Sequence, residues 1–355
     1  MRDDISELQK KDPRFTKCAP HEILSHFIIK SEPFEKFFKD NVLNPYPVKI
    51  NLNKVANMII GYIDDRSRAF ITHIINGSFD ADKLDYISRD GYFTGLRLVI
   101  DIDRLFYAVS PRWLEDEKMY GITVGSPNPA QQILFSKMLL FSTIYNHQKV
   151  RACDCMLRGL AEYVNEQGTT FRGSPLVDPV DFLVLTDNDI FNATDTSNEP
   201  FIKKMVANLC QRNLFKRALV ICKDTVDNWD ESRQYELPSL IESPADLKKL
   251  RLDILNRLPG GQRPSIHEIW IDLPQLPEFH EEATQTHICV AGAEPVVLQE
   301  LFPVAGWLEA YADRQWRGHV FCPEQFQDMV NKAASAVLKE YRLKLNPKSR
   351  IYCHL

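Results

Sequence analysis

One stretch of the chain, FDADKLDYISRDGYFTG at residues 79–95, concentrates side chains that can ionise or form hydrogen bonds. It holds four aspartates, a lysine, an arginine and two tyrosines. If residues 80–90 are helical, Asp82, Tyr86 and Arg89 with Asp90 fall on one face at i, i+4 and i+7/i+8. A carboxylate, a phenol and a second carboxylate then line up over two turns, an arrangement that can bind a polar ligand.

The same residues are also compatible with a solvated surface on which Lys83 and Arg89 balance the acids. Against this, Tyr86, Tyr92 and Phe93 are poor choices for a face that meets only water. The residue types alone therefore leave both interpretations open.

The elements that must position this stretch are helical over the first two thirds of the chain, where apolar residues recur at helical spacing. Pro20 suits the first turn of a helix whose apolar stripe is Ile23, Leu24, Phe27 and Ile28. The other predicted helices are one capped by Asn53, a long one from near Pro129 to a stop at Gly168, and two shorter ones near Pro179–Asn188 and Pro200–Cys210.

After residue 212 the pattern changes to short apolar segments with polar or turn residues at their ends. RALVIC, HEIWIDL and THICVAG are typical of strands, and PEQFQDMVNKAASAVLKEY is typical of a helix. Strands mixed with helices in this way indicate an α+β arrangement. We therefore predict a mostly α core over residues 1–212 followed by a smaller α+β subdomain over residues 213–355.

The composition argues against several classes of protein. The formal charge is -5 with acids and bases interspersed, which gives no strong nucleic-acid signal. No apolar run approaches the roughly 20 residues of a membrane span. The eight cysteines include no CxxC pair, and the charged N-terminus has no apolar segment typical of a signal peptide. These features predict a cytoplasmic protein with reduced thiols and no membrane partner.

The charged stretch and three others resemble one family, in the same order along the chain. NGSFDADKLDYISRDGYFTG resembles the signature segment of HD-domain deoxynucleoside triphosphate triphosphohydrolases. The supporting stretches are APHEILSHFII, IYNHQKVRA, and LTDNDIF followed by RNLFK. This resemblance implies an HD-domain helical core, a homo-oligomer, and attack at the α-phosphate of a deoxynucleoside triphosphate to give a deoxynucleoside and tripolyphosphate.

The resemblance also implies roles for individual residues. Asp82 is the last protein ligand of a divalent metal, either Mg, Mn, Fe or Zn. His21, oriented by Glu22, lies beside the scissile phosphate as an acid or electrostatic group. Arg212 and Lys216 match cations of an allosteric nucleotide site in the animal relative. The implied substrate contacts are Asp80, Lys83, Tyr86, Asp90, Lys137, Tyr145 and His147.

By this resemblance, the contacts divide between two parts of the substrate. Lys83 and Lys137 meet the triphosphate oxygens, where cations stabilise charge on the leaving group. Tyr86 and Asp90 hold the deoxyribose, and Tyr145 packs against the sugar and rejects a 2′-hydroxyl.

One part of the family pattern is absent. The family is named for His and His-Asp ligands upstream of the His-Glu segment, but no histidine precedes His21 and no HD dipeptide occurs in the sequence. Either the chain is a fragment or has a mis-called start, or it is a natural non-catalytic protein that binds nucleotides or a partner. A fragment predicts uncovered apolar faces on the helices at residues 20–38 and 54–64.

Overall fold

The structure, a computed structural model, describes residues 2–46, 48–169, 186–192, 198–227, 229, 236–241, 243–275, 283–289, 293–304, 306, 310 and 314–354. Its α-helices are α1 (Arg2–Lys11), α2 (Pro20–Ile29), α3 (Glu32–Phe38), α4 (Leu52–Ile59), α5 (Ala81–Thr94), α6 (Ile102–Ala108), α7 (Pro127–Leu140), α8 (Gln148–Gln167), α9 (Asp187–Phe191), α10 (Pro200–Cys210), α11 (Pro244–Asn256), α12 (Leu298–Leu301), α13 (Gln327–Glu340) and α14 (Lys348–Ile351). Its strands are β1 (Val109–Leu114), β2 (Met119–Val124), β3 (Lys216–Ile221), β4 (Trp270–Asp272), β5 (His287–Ile288), β6 (Val296–Val297) and β7 (Gly318–Cys322). Within these described ranges, no helix has both the length and the apolar character that crossing a bilayer requires.

The chain forms two compact units. The first unit is Met1–Leu140 with Glu278–Leu308, and the second is Phe141–Pro277 with Glu309–Leu355. The predicted order, a helical core followed by a smaller α+β part, is confirmed. The domain boundary predicted at residue 213 lies inside the second unit, between the end of α10 and the start of β3, and it stays a prediction.

In the first unit, the helix predicted for the charged stretch is α5. The Asp80 side chain accepts a hydrogen bond from the Lys83 backbone N–H at 2.8 Å and so caps its first turn. Leu84 and Ile87 face the core, and Gly95 ends the helix with a φ of 72°. The first unit therefore presents the charged stretch on a helix that is capped at both ends.

The predicted start of α2 at Pro20 is also confirmed. Of the predicted apolar stripe, only Ile23 is buried, whereas Leu24, Phe27 and Ile28 are each more than 40% exposed. Most of this stripe therefore remains on the surface of the first unit.

The predicted cap of α4 was wrong. Asn51, and not Asn53, precedes the helix, and its side chain accepts the Lys54 N–H at 3.2 Å. Asn53 lies one residue inside the helix, so its backbone is already helical and cannot take the extended conformation of a cap.

The sheet of the first unit has the strand order β1-β2-β5-β6. The strand predicted in THICVAG corresponds to β5, which pairs in parallel with β2. The sequence reasoning missed the antiparallel β1–β2 hairpin, which pairs Val109 with Val124. Pro111 lies in β1 and much of that strand is exposed, so the apolar alternation that would indicate a strand is weak there.

In the second unit, a three-stranded antiparallel sheet has the order β3-β7-β4. RALVIC and HEIWIDL were predicted as strands and correspond to β3 and β4. The central strand β7 was missed, although all five of its residues are buried. The predicted C-terminal helix is α13, which packs on β3 and β7 through a stripe that includes Val330, Ala333 and Val337.

Residues 129–168 were predicted to form one long helix, and this prediction was wrong. They form two helices, α7 and α8, separated by a π-helical turn at Phe141–Tyr145. His147 begins α8, because its imidazole accepts the Lys149 N–H at 3.2 Å. The predicted stop at Gly168 is confirmed.

The two shorter helices have different outcomes. The helix predicted at Pro200–Cys210 is α10. Of the helix predicted near Pro179–Asn188, residues 179–185 lie outside the described residues, and α9 begins at Asp187.

Candidate functional site

The start of α5 holds one ammonium group in a fixed position. The Lys83 Nζ donates to the Asp80 Oδ2 at 2.8 Å and to the Gly77 carbonyl at 2.7 Å. The other Asp80 oxygen caps the helix, so both oxygens of this buried carboxylate are engaged. Asp80 therefore orients Lys83, which remains half-buried with its ammonium at the edge of the helix.

The predicted site residues on α5 differ in how deeply their side chains are buried. Lys83, Tyr86 and Asp90 are all half-buried and follow one another at i, i+3 and i+7, so they share one flank of α5. We call these three residues the α5 flank. Asp82 is exposed and lies toward the solvent side of the helix. Asp82 still aligns with Tyr86 and Asp90 at i, i+4 and i+8 along α5, as the spacing predicted, but its side chain is more exposed than theirs.

Another predicted substrate contact of the first unit, Lys137, lies on the helix that packs against α5. Helix α5 packs against α7, which carries the half-buried Lys137. Tyr145 and His147 belong to the second unit, in the π-helical turn and at the start of α8. His147 is exposed, and the Tyr145 ring meets the Phe141 ring edge-on at 5.0 Å.

The His21–Glu22 pair lies in the first turn of α2. The Glu22 carboxylate accepts the Ala19 N–H at 2.7 Å and the Asn76 side-chain amide at 3.0 Å. His21 is exposed, and none of the hydrogen bonds described for Glu22 goes to it. Glu22 thus fixes the start of α2. A contact by which Glu22 would orient His21, as predicted, is not among those that the structure describes.

Asn76 is the residue of this region that sequence reasoning missed. Its side-chain amide donates to Glu22 and also to the carbonyl of Ile59, the last residue of α4, at 3.0 Å. It therefore joins α2 and α4 just before the loop that supplies the Gly77 carbonyl to Lys83. The available signal was its position in the Asn-Gly pair that opens NGSFDADKLDY.

We expect Asn76→Ala to lower the free energy of unfolding by about 1–2 kcal/mol, because it leaves the Ile59 carbonyl and one Glu22 oxygen without their donor. Urea unfolding measures this. Asn53→Ala, at an exposed asparagine on α4, is the control and should change stability by less than about 0.5 kcal/mol. Equal stability of the two variants would show that Asn76 does not join these helices.

The described residues do not fit the divalent metal that the resemblance implies. Among them, no three His, Cys, Asp or Glu side chains lie close enough together to hold a metal ion. Asp82, the matched ligand, is exposed.

The predicted allosteric residues lie in a cationic part of the second unit. Arg212 follows the end of α10 by two residues and has a φ of 60°. The Lys216 Nζ is 3.8 Å from the Glu324 carboxylate. Burial, followed by the positive charges of Lys216, Arg217 and Arg212, lowers the pKa of Lys149. These four residues, Lys149, Arg212, Lys216 and Arg217, are called the cationic cluster below.

A family described as HD associated region matches residues 100–346, which is more than half of the chain. The chain belongs to the HD associated region family. The matched region begins after α5, so it includes Lys137 and the cationic cluster but neither the α5 flank nor His21.

Two curated relatives and one solved structure extend this comparison. The chain is 23% identical over 299 residues to an uncharacterized protein of Methanocaldococcus jannaschii, covering 78% of this chain and 56% of that protein. It is 28% identical over 169 residues to the deoxynucleoside triphosphate triphosphohydrolase SAMHD1 homolog of Dictyostelium discoideum, covering 46% of this chain and 31% of that protein. This member of the HD associated region family thus spans about half or less of those relatives.

The crystal structure of a hypothetical protein from Aquifex aeolicus shares the fold. It aligns with a TM-score of 0.52 and 16% sequence identity over 85% of this chain and 71% of that chain. At this identity the likeness concerns the fold alone.

Proposed function

We propose that this chain is the nucleotide-binding part of an HD-superfamily phosphohydrolase that acts on deoxynucleoside triphosphates. The observation that supports this most directly is the α5 flank, in which an ammonium, a phenol and a carboxylate share one side of a capped helix. Their order matches the signature motif residue by residue. The Dictyostelium relative, which is named as a deoxynucleoside triphosphate triphosphohydrolase, supports the substrate class.

In the proposed complex, each part of the nucleotide meets a group of matching chemistry. The ammonium groups of Lys83 and Lys137 bind triphosphate oxygens by charge-assisted hydrogen bonds. The Asp90 carboxylate accepts a hydrogen bond from the 3′-hydroxyl of the sugar, and the Tyr86 ring packs beside it. The contacts of Lys83 with Asp80 and Gly77 hold its ammonium in place before the nucleotide arrives, which lowers the entropy lost on binding.

A second candidate function is nucleotide binding without hydrolysis, in a regulatory or interaction protein. The observation that favours it is that no three potential metal ligands gather among the described residues. The nucleotide contacts are the same in both candidates, so only turnover separates them.

The proposal also includes a regulatory nucleotide site and a homo-oligomer. The cationic cluster is proposed as a second, regulatory nucleotide site, because the positive charges of Lys216, Arg217 and Arg212 all act on Lys149. The Glu324 carboxylate lies 3.8 Å from the Lys216 ammonium. The protein is proposed to act as a homo-oligomer. If the regulatory site exists, a non-substrate nucleotide raises activity and Lys216→Ala removes that response.

The test measures binding and turnover on the same preparation. With each deoxynucleoside triphosphate at about 100 times its Kd, we expect a stabilisation of about 2.7 kcal/mol, read as a rise in Tm. Asp90→Ala should remove the rise. Asp85→Ala, at an exposed residue on the solvent side of the same helix, should retain it.

Tripolyphosphate release with Mg²⁺ or Mn²⁺ then separates the candidates. A rise in Tm with release supports the phosphohydrolase, and a rise without release supports the non-catalytic binder. The proposed nucleotide site is contradicted if deoxynucleoside triphosphates do not raise the Tm of the unmodified chain. It is also contradicted if Asp85→Ala and Asp90→Ala lose that rise in Tm equally.

A further inference from the structure

The imidazole of His73 joins two elements of the first unit that lie far apart in the chain. His73 is in the last turn of the 3₁₀ helix Arg66–Ile74, and its Nδ1 accepts the N–H of Ile122 in β2 at 3.3 Å. A Cβ on Gly121 would lie 3.3 Å from the His73 Cε1, so the ring packs against the β2 backbone. The side chain of His73 therefore holds the end of the 3₁₀ helix against β2.

The backbone of His73 is packed just as closely against Gly77, in the loop that leads to α5. A Cβ on Gly77 would lie 2.5 Å from the His73 carbonyl oxygen and 2.9 Å from its Cα, so only a glycine fits there. Close-packed groups of this kind transmit a displacement, so a shift of the His73 backbone moves Gly77 with it. The Gly77 carbonyl in turn accepts the Lys83 Nζ at 2.7 Å. One chain of contacts thus runs from β2 through His73 and Gly77 to the Lys83 ammonium.

The contact with Ile122 requires a neutral His73. Because a backbone N–H can only donate, the His73 Nδ1 must present its lone pair, and the ring proton must lie on Nε2. A protonated imidazole carries a hydrogen on both nitrogens and would set an N–H against the N–H of Ile122. Burial lowers the pKa of His73, which favours the neutral ring that the contact needs. Protonation of His73 therefore breaks its contact with Ile122.

Two ionisable groups on neighbouring segments act on His73. Glu117, in the turn between β1 and β2, raises the pKa of His73, and His287 of β5 lowers it, both by less than burial does. The His287 Nε2 is 3.8 Å from the Glu117 carboxylate. The ionisable side chains that the 3₁₀ helix itself, β2 and α4 add around this position are exposed: Arg66, Arg68, Tyr120 and Lys54. The surroundings of His73 therefore favour its neutral form.

We infer that His73 is a positioning residue that holds the Lys83 ammonium in place for the triphosphate, and that protonation of His73 releases it. When the contact with Ile122 is lost, the last turn of the 3₁₀ helix moves on β2, and Gly77 moves with it. Lys83 then keeps Asp80 as its acceptor and loses the Gly77 carbonyl. The inference rests on the proposed nucleotide site, and His73 lies outside the stretches that carry the family resemblance.

The first test examines Lys83 without nucleotide. Limited acetylation with acetic anhydride, followed by peptide mass spectrometry, measures how fast each lysine amine reacts, and the exposed Lys54 is the internal reference. His73→Leu should raise the reactivity of Lys83 relative to Lys54 by about 10-fold, since a hydrogen bond of a charged group contributes about that factor. Gly77→Ala should have the same effect, because it separates the two backbones. His73→Asn should keep the slow reaction, because its amide oxygen can accept the Ile122 N–H.

Thr123→Val is the matched control. Thr123 follows Ile122 on β2, and its Oγ1 donates to the Ser110 carbonyl at 3.0 Å, so the change loosens the hairpin without touching His73. It should leave the reactivity of Lys83 unchanged. The inference is overturned if Lys83 reacts no faster in Gly77→Ala or in a folded His73→Leu, or if His73→Asn or Thr123→Val accelerates it by about 10-fold as well. If His73→Leu does not fold, Gly77→Ala and His73→Asn decide the result.

The second test is the pH profile of nucleotide affinity, measured by calorimetry with the deoxynucleoside triphosphate that gives the largest rise in Tm. A site that needs a neutral histidine binds best above the pKa of that histidine and loses affinity as the pH falls through it. From pH 7 to pH 5 the unmodified chain should therefore lose more affinity than His73→Asn, whereas the titration of the nucleotide phosphates is common to both. Parallel profiles would overturn the inference. If no nucleotide binds but Lys83 acetylation responds as expected, the proposed function is contradicted and the positioning of Lys83 by His73 stands.

Discussion

Replacing Arg251 by alanine is expected to lower the free energy of unfolding by about 3–5 kcal/mol. Arg251 is 1% exposed on α11, and its Nη2 donates to the Glu162 carboxylate on α8 at 2.6 Å. Its guanidinium carbon lies 4.2 Å from the centre of the Trp270 ring in β4. One side chain thus joins two helices and a strand of the second unit. Its loss leaves a cavity beside Trp270 and takes the arginine partner from the Glu162 carboxylate, which keeps His267 at 3.7 Å.

The loss of stability in Arg251→Ala should depend on pH, because part of it comes from the interaction between Arg251 and the Glu162 carboxylate. Burial alone would raise the pKa of Glu162, but His267 and Arg251 beside it hold that pKa below the ordinary 4.5. A carboxylate with a lowered pKa in the folded state stabilises the protein above the unfolded-state pKa, and this stabilisation is lost as the pH falls through the folded-state value. Urea unfolding should therefore show that the difference in free energy of unfolding between Arg251→Ala and the unmodified protein narrows as the pH falls below 4.5, the ordinary carboxyl value.

A matched pair on the same two helices provides the control. Lys248 on α11 contacts Glu166 on α8 at 2.7 Å, but both side chains are more than one third exposed. Lys248→Ala should cost less than about 1 kcal/mol, because water screens the pair. Arg251→Met with Glu162→Gln should recover much of the loss, since the pair restores volume and removes the carboxylate charge that has lost its arginine partner. Equal costs for Lys248→Ala and Arg251→Ala would contradict the role assigned to Arg251.

The parts of the fold that were predicted have local causes. Helix α5 follows from an aspartate cap and a terminal glycine, and β3 and β4 follow from short apolar runs with polar ends. The break between α7 and α8 could not be predicted, since the intervening residues keep a helix-compatible pattern while the backbone takes a π turn. Strand β7 was missed because a short, fully buried run has no alternation to reveal it.

The helical spacing of the candidate residues was predicted, but the burial of each side chain was not. Asp82, Tyr86 and Asp90 follow one another at i, i+4 and i+8 along α5, yet Asp82 is exposed, whereas Lys83, Tyr86 and Asp90 are half-buried. Which side of a helix is covered depends on the neighbouring helix, here α7, and a single sequence does not state that contact. Asn76 was missed for the same reason, because its two partners lie 54 and 17 residues away in the chain.

His319 is expected to make the protein less stable as the pH falls from 7 to 5. It lies on the central strand β7 and is 2% exposed. Burial, followed by the positive charges of Arg217, Arg151 and Arg317, lowers the pKa of this imidazole to about 3. A histidine with a lowered pKa in the folded state stabilises the protein above the unfolded-state value of 6.5, and that stabilisation is lost progressively as the pH falls toward the folded-state value.

Between pH 7 and pH 5 this single group should account for about 2 kcal/mol of lost stability, because the unfolded chain binds a proton that the folded chain cannot accept. His319→Gln removes the titrating group, so its free energy of unfolding should be lower at pH 7 but should fall less steeply toward pH 5. His354→Gln, at an exposed histidine of the same unit, should keep the slope of the unmodified protein. Urea unfolding at pH 5, 6 and 7 measures the three slopes. If the free energy of unfolding of His319→Gln falls with pH as steeply as that of the other two proteins, His319 accepts its proton in the folded state. Two causes would explain this result: water reaches the centre of the sheet, or Asp272, the cross-strand neighbour of His319, offsets the charges of the three arginines.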